Sequence, residues 1–481
     1  MSSYSAAELA GAARWTALAA LVRALAQVIQ LVVLARLFAG PDLGLVVLVF
    51  ALHGTAQWFA DIGIGNLVMH RQTLDHEELA AVRGLALLAG AVPSLGLIAL
   101  AAPLATLYQD PRLLLMVPLA GLAFVFNALW QLRRALLEKQ SAFGQVARVE
   151  IAALLLTQLA LVLTALSTGS VYAVLIAPLG MSLLMSAGLL LPWRREDWRF
   201  RFDREALRPH WAYTRHNLGF NLANGLALHA DVLIGGQRLA PADLGGHGVA
   251  KDLHLKIGWV LNPVVTRITT PLFGRLQGQR EALARIYRGS LKISAALHAP
   301  VYASLIAFSA EWSRLLFGPG LQAYQTSFIL LGVWGLLRAL GAPSGGLVFA
   351  LGETRRAWHW SLGSLLLFGL AAALGSAHGV TGLGLALLLA MALQQIWPVW
   401  AVLVHPLTGL GYRAYLGAPL PALLSALLSF GGMAWWRGGA GDSALGLIAL
   451  QMLAGLVYLA LLFSLDGELR GQARRLLQRP T

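Results

Sequence analysis

Three arginines of this chain sit in stretches that are otherwise almost pure hydrocarbon: Arg23, Arg267 and Arg338. A guanidinium at bilayer depth costs about 2.5 to 3.5 kcal/mol on insertion scales and persists there only against a partner or water. Its planar fork of donors matches phosphate oxygens, and two such groups can hold a pyrophosphate from both sides. Gln27 and Gln30 follow Arg23 at i+4 and i+7, so the three share one helical face. Asn217, Asn221 and Asn224 form a second polar row, with Asp231 further along the same segment. Amides at that spacing hydrogen-bond either sugar hydroxyls or a neighbouring helix. Arg267 stands in Asn262-Pro263-Val264-Val265-Thr266-Arg267-Ile268-Thr269-Thr270-Pro271, where two prolines interrupt the backbone ladder; the expectation is a broken helix lining a cavity. These residues describe a binding place for an anion surrounded by hydroxyl groups, with Arg23, Arg267, Arg338, Gln27, Asn221 and Asn224 as its contacts. Asp61, Asp231, His53 and His229 are candidates for coupling to an ion, and His298 shares their chemistry. No catalytic residue and no metal site is expected.

The elements that must hold these groups follow from composition. Residues are 58% hydrophobic and 12% charged, with a mean hydropathy of +0.67; a soluble protein needs roughly 25% charged residues to cover its surface. The fold expected is all-α, a polytopic transmembrane bundle. Fourteen apolar segments can be drawn, at about 12–36, 43–66, 80–107, 112–137, 147–168, 171–192, 214–237, 247–273, 289–310, 322–350, 358–377, 380–404, 414–436 and 443–465. The first of them carries Arg14, Arg23 and Arg36 and reads as a retained helix, not a cleaved signal. With no cysteine, disulfides and thiolate chemistry are excluded.

A net charge of +14 raises nucleic acid as a partner, but its distribution argues for membrane orientation instead. Most of the 36 Lys and Arg fall on alternate loops together with both ends of the chain, which places both termini in the cytoplasm. Outward loops such as Gly40-Pro41-Asp42 and Gln109-Asp110-Pro111 are too short to form a domain, so the work is expected within the bilayer.

The turn Arg36-Leu37-Phe38-Ala39-Gly40-Pro41-Asp42-Leu43-Gly44 returns as Arg238-Leu239-Ala240-Pro241-Ala242-Asp243-Leu244-Gly245, about 200 residues and six segments later. An even number of intervening spans implies parallel repeats about an axis along the membrane normal. The expected organisation is an N-terminal lobe over 1–192, a polar connector over 193–213, a C-terminal lobe over 214–404, and two extra spans with a basic tail over 405–481. Two six-helix lobes form a V-shaped, alternating-access design. The tail after Asp466 reads as an amphipathic helix on anionic lipid or as a last orientation signal.

Several of these stretches together resemble Wzx-type polysaccharide flippases of the multidrug/oligosaccharidyl-lipid/polysaccharide exporter superfamily. They are Leu34-Ala35-Arg36-Leu37 with Pro41-Asp42-Leu43-Gly44, Phe59-Ala60-Asp61-Ile62-Gly63-Ile64-Gly65, His70-Arg71-Gln72, Asp231-Val232-Leu233-Ile234-Gly235 with Asp243-Leu244-Gly245, and Asn262-Pro263 through Pro271-Leu272-Phe273. His247 and Gly236 depart from the pattern, where such proteins often carry Tyr and Arg. The resemblance, over roughly residues 10–360, implies a non-enzymatic transporter without cofactor. It would flip undecaprenyl-pyrophosphate-linked oligosaccharides across the bacterial inner membrane, with membrane lipid, a polysaccharide polymerase and a chain-length regulator as partners. Arg23 and Arg267 would then bind pyrophosphate. The alternatives are a multidrug exporter of the same superfamily, which would want acids at depth, and a membrane-embedded polymerase, which would want a large loop or an acidic metal site.

Overall fold

The computed structural model describes residues 6–38, 40–60, 68, 76–140, 142–191, 200–201, 204–436 and 443–471. Asp61, connector residues 193–199 and 202–203, the side chain of Asn217 and the tail beyond Gly471 lie outside that set. Helices dominate, and no strand occurs among the described residues. The first half contains α1 (Ala6–Leu37), α2 (Pro41–Ala60), α3 (His76–Leu107), α4 (Leu113–Lys139), α5 (Phe143–Thr168) and α6 (Ile176–Leu190). There follow α7 (Arg204–Gly235), α8 (Pro241–Arg275), α9 (Arg280–Ala307), α10 (Ser309–Phe317), α11 (Gln325–Leu340), α12 (Ala342–Ala350), α13 (Thr354–Ser376) and α14 (Gly379–Ile396). The segment Tyr412–Trp436 and α15 (Ala444–Leu465) complete the chain.

Among the described residues, eleven helices are long and apolar enough to cross a membrane, or twelve if α9 and α10, bent by 84° at Phe308, count as one span. The expected straight span over 289–310 is therefore a bent pair. α7 and α8 are 32 and 35 residues long but too polar to join that set among the described residues. They are the helices that carry Asn221, Asn224, His229 and Asp231, and Lys251, His254 and Arg267.

Exposure is inverted relative to a water-soluble fold. Leu362, Leu366, Leu370 and Leu374 form an exposed ridge on α13 at four-residue steps, and Leu385, Leu389 and Leu393 do so on α14. Buried positions include Ser94, Thr157, Ser182, Ser186 and Asn127. Leucine ridges outside and small or hydroxyl side chains inside are what a hydrocarbon solvent selects, since Leu gains nothing by leaving lipid while Ser must find a partner. Ser182 accordingly donates to Asn127 at 2.8 Å.

Two compact units are distinguished by contact. One comprises Met1–Gly245 with Trp358–Ala373; the other comprises Gly246–Ala357 with Leu374–Thr481. In the first, α3 packs on α4, α2 on α7, and α1 on α5. The two copies of the repeated turn meet here. Pro41 and Pro241 open α2 and α8, where a missing N–H goes unneeded. A Cβ on Gly44 would lie 2.0 Å from the Pro241 carbonyl oxygen, and one on Gly245 would lie 2.8 Å from the Gly44 nitrogen; only glycine permits this backbone approach. In the second unit, α9, the Tyr412–Trp436 segment and α15 share a core of small and aromatic residues that includes Ala295, Ala299, Ala422, Ala426, Ala454 and Phe430.

Candidate functional site

Polar groups of the first unit are largely matched to one another. The Arg23 guanidinium on α1 forms an ion pair with Glu150 on α5; the Glu150 side chain is 5% exposed and that of Arg23 43%. Glu150 lies buried against α1. Two turns further along, Gln158 donates to Gln30 at 2.9 Å. The polar row that begins at Arg23 thus faces α5, and Gln27, between the two contacts, is half-buried.

Across α2 and α7 the histidines are packed. His53 lies with Nδ1 3.2 Å from the Ala120 carbonyl and stacks on Phe124 at 4.6 Å. His229 approaches α2 so closely that its Nε2 would be 2.7 Å from a Cβ on Gly54. Asn221 and Asp231 are buried and Asn224 is half-buried; Asn221, His229 and Asp231 all have interaction partners.

The second unit differs. α8 is continuous through Pro263 and Pro271, contrary to the expected broken segment. Each proline still removes one N–H, which leaves the Trp259 and Arg267 carbonyls without their ladder donors. Arg267 is exposed beside Val264 and Ile268. Higher on the helix, Lys251 is buried with Nζ 5.6 Å from the Trp334 ring centroid on α11. Arg338, also on α11 and half-buried, has Cζ 5.8 Å from the same ring. No hydrogen bond or ion pair to Arg338 is formed among the described residues. By contrast, Lys256 is paired with Asp252 at 2.8 Å.

Tyr302 of α9 completes this cluster. Its hydroxyl donates to the His254 carbonyl at 2.6 Å, and its ring stacks near His254 and His298 at 6.0 and 6.3 Å. A Cβ on Gly335 would lie 2.7 Å from the Tyr302 ring, so glycine on α11 is what lets α9 come this close. His254 and His298 each place Nδ1 within 2.7 and 2.8 Å of a carbonyl one turn back. A carbonyl only accepts, so Nδ1 carries the proton and Nε2 is left as an acceptor. Those Nε2 atoms, Trp334 Nε1 and Asn262 Oδ1 are buried without a hydrogen-bond partner among the described residues. Donors, acceptors and an uncompensated guanidinium in one place suit an anionic, hydroxylated ligand. Among the described residues no His, Asp and Glu side chains gather as a metal-binding group.

The model of a family described as "Polysaccharide biosynthesis protein" matches residues 33–324. The chain belongs to this family. WzxC, a lipopolysaccharide biosynthesis protein of Escherichia coli K12, is 26% identical over 427 residues, covering 86% of this chain and 84% of that protein. TuaB, a teichuronic acid biosynthesis protein of Bacillus subtilis, is 24% identical over 368 residues, or 76% of each chain. The lipid II flippase MurJ in an inward closed conformation superposes with a TM-score of 0.72 at 13% identity, over 92% of this chain and 97% of MurJ. This member of the polysaccharide biosynthesis family therefore has the MurJ-type transporter fold.

Lys251, His254 and Tyr302 were not among the expected site residues. A signal was present nonetheless: His247, Lys251, His254, Gly258 and Asn262 recur at three- and four-residue steps on one face of α8.

Proposed function

We propose that this family member flips undecaprenyl-pyrophosphate-linked oligosaccharides across the bacterial inner membrane for polysaccharide assembly, alternating between inward- and outward-open states. The observation that carries the reading is the uncompensated guanidinium of Arg338 in a chain whose relatives serve polysaccharide biosynthesis. A charge held at depth without a carboxylate is tolerable when a ligand supplies the anion. Arg267 and Arg338 act as anion contacts, with Arg23, Gln27, Asn221 and Asn224 lining the path of the passenger. Asp61, Asp231, His53 and His229 serve coupling to an ion gradient, both termini lie in the cytoplasm, and a polymerase and a chain-length regulator receive the product. The protein moves its ligand and leaves it chemically unchanged.

The test is polysaccharide export in cells that lack the native gene. Arg267→Ala and Arg338→Ala are expected to abolish surface polysaccharide at normal protein level. Arg23 must be tested together with its partner, as Arg23→Ala in a Glu150→Ala background, because the single change also leaves a buried carboxylate. Full export by both Arg267→Ala and Arg338→Ala would remove the anion-binding reading.

A further inference from the structure

The span that begins with α14 ends in a group of residues outside those proposed for the passenger. Leu385, Leu389 and Leu393 stand exposed at four-residue steps on α14, and Trp397, 54% exposed, is the next step of the same row. The whole span, Gly379–Thr408, has 30 residues, about 45 Å at 1.5 Å per residue, which matches the roughly 40 to 45 Å of a bilayer with its headgroups. Its last two turns therefore lie at headgroup depth. Two guanidinium groups from other helices are fastened there. Arg356, in the first turn of α13, donates from Nη1 to the Val402 carbonyl at 2.8 Å. Arg280, which opens α9, donates from Nη2 to the Pro406 carbonyl at 3.4 Å. Val402 and Pro406 are one turn apart, so the two bonds hold their donating nitrogens within about 12 Å of each other.

A guanidinium has five N–H donors. These bonds, with the Glu353 carboxylate 3.5 Å from Arg356 Nε, occupy only some of them. Exposed Arg413 adds a positive charge beside Tyr412. In the same turns the rings of Trp397, Trp400, His405 and Tyr412 pack on one another at 4.9 to 5.3 Å. The cluster is fixed from behind, because Trp400 Nε1 and His405 Nδ1 both meet the Leu410 carbonyl, at 2.8 and 3.2 Å. Gly409, at φ +74°, makes the turn that brings that carbonyl round. Leucine ridge, amphipathic rings and fastened cations thus follow one another in the order of a phospholipid's acyl chain, glycerol region and phosphate. A soluble anion has no use for the ridge, and a neutral lipid has none for the arginines. We propose that this corner of the second unit binds an anionic phospholipid, its phosphate held by Arg280 and Arg356 and its acyl chain laid along the α14 ridge past Trp397. The site stands whether or not the flippase reading does.

Lipid titration of the purified full-length protein in detergent, read by native mass spectrometry, tests this. The probes are phosphatidylglycerol and phosphatidylcholine with the same acyl chains, and inorganic phosphate as a competitor. Wild-type protein is expected to bind phosphatidylglycerol about twentyfold more tightly than phosphatidylcholine, about fivefold from each arginine. Arg280→Gln and Arg356→Gln each remove one such factor and leave phosphatidylcholine binding unchanged, which also shows that the variants are folded. Trp397→Ala weakens both lipids alike. Arg275→Gln combined with Arg285→Gln takes the same charge from nearby exposed positions and keeps the preference. An equal loss in that control reduces the effect to diffuse surface potential and overturns the site. Equal binding of the two lipids by wild-type protein overturns it too, as does displacement of phosphatidylglycerol by inorganic phosphate at equal concentration.

Discussion

Arg23 and Arg338 are both arginines on apolar helices, and the protein treats them in opposite ways. In the first unit Arg23 is matched by Glu150 across the α1–α5 contact. In the second, Arg338 is given an indole and a phenol as neighbours and no carboxylate among the described residues. A matched charge knits helices; an unmatched one is the kind the proposed function assigns to a ligand. The contrast predicts stability effects of different size and sign at the two arginines.

The largest effect is expected at Glu150, through its partner. Arg23→Ala strands a carboxylate that is 5% exposed, and removing one member of a buried pair costs about 3 kcal/mol or more. The half-exposed guanidinium places this change at the lower end of the range. A marked drop in the melting temperature of detergent-extracted protein should follow, and Glu150→Ala added to it should restore most of the loss. An unchanged Arg23→Ala melting curve would make the pair ornamental and dissolve the comparison.

A second matched charge gives a smaller, pH-dependent effect. Lys292 of α9 contacts Asp466 at 2.9 Å and Glu468 at 2.8 Å, just beyond α15. Burial alone would raise the Asp466 carboxyl, but the Lys292 hydrogen bond and backbone N–H groups outweigh it and hold the group below its usual range. A depressed carboxyl contributes stability above its unfolded pKa and loses that contribution as pH falls through the folded value. Lys292→Met is expected to cost roughly 1 to 3 kcal/mol near neutral pH. The gap from wild type should narrow below about pH 4, as read in melting curves across pH. A gap that is constant down to pH 3 would show that packing, not charge, links the two segments.

At the surface the effect shrinks further. Arg112 bridges Asp110 at 2.7 Å and Asp42 at 2.5 Å, and its hydrogen bond to Asp110 holds that carboxyl below its ordinary value. Asp110→Asn should cost about 0 to 1 kcal/mol, as exposed pairs do. A loss well above that range in thermal unfolding would mean that the turn organises the helices beneath it. Smallest of all is Arg338→Gln, where no hydrogen bond or ion pair among the described residues is lost; melting temperature should stay level or rise while export fails. A destabilised Arg338→Gln protein would place Arg338 in the same class as Arg23.

Most spans were legible because a run of about 20 apolar residues has few other uses. The repeated Asp-Leu-Gly turn was legible too, and its copies prove to touch at Gly44 and Gly245. Lateral partners were not. Nothing in the hydropathy of α5 announces that Glu150 answers Arg23, because the two are far apart in sequence and the match is made by helix packing. Lys251 escaped notice for a related reason: its cover comes from Trp334 on a neighbouring helix, which its own sequence context does not announce. The same limit applies to the bend at Phe308, which no proline marks; Pro300 lies a full two turns earlier, within α9.

The polarity of α7 and α8 bears on how this protein is made. A helix carrying Lys251, Asp252, Lys256 and Arg267 is a poor candidate for release into lipid by itself, given about 2.5 to 3.5 kcal/mol for each charge near the centre. Biogenesis must therefore shelter this pair until apolar neighbours have arrived. The segments proposed to handle the cargo are the ones that depend on companions to cross the bilayer during synthesis.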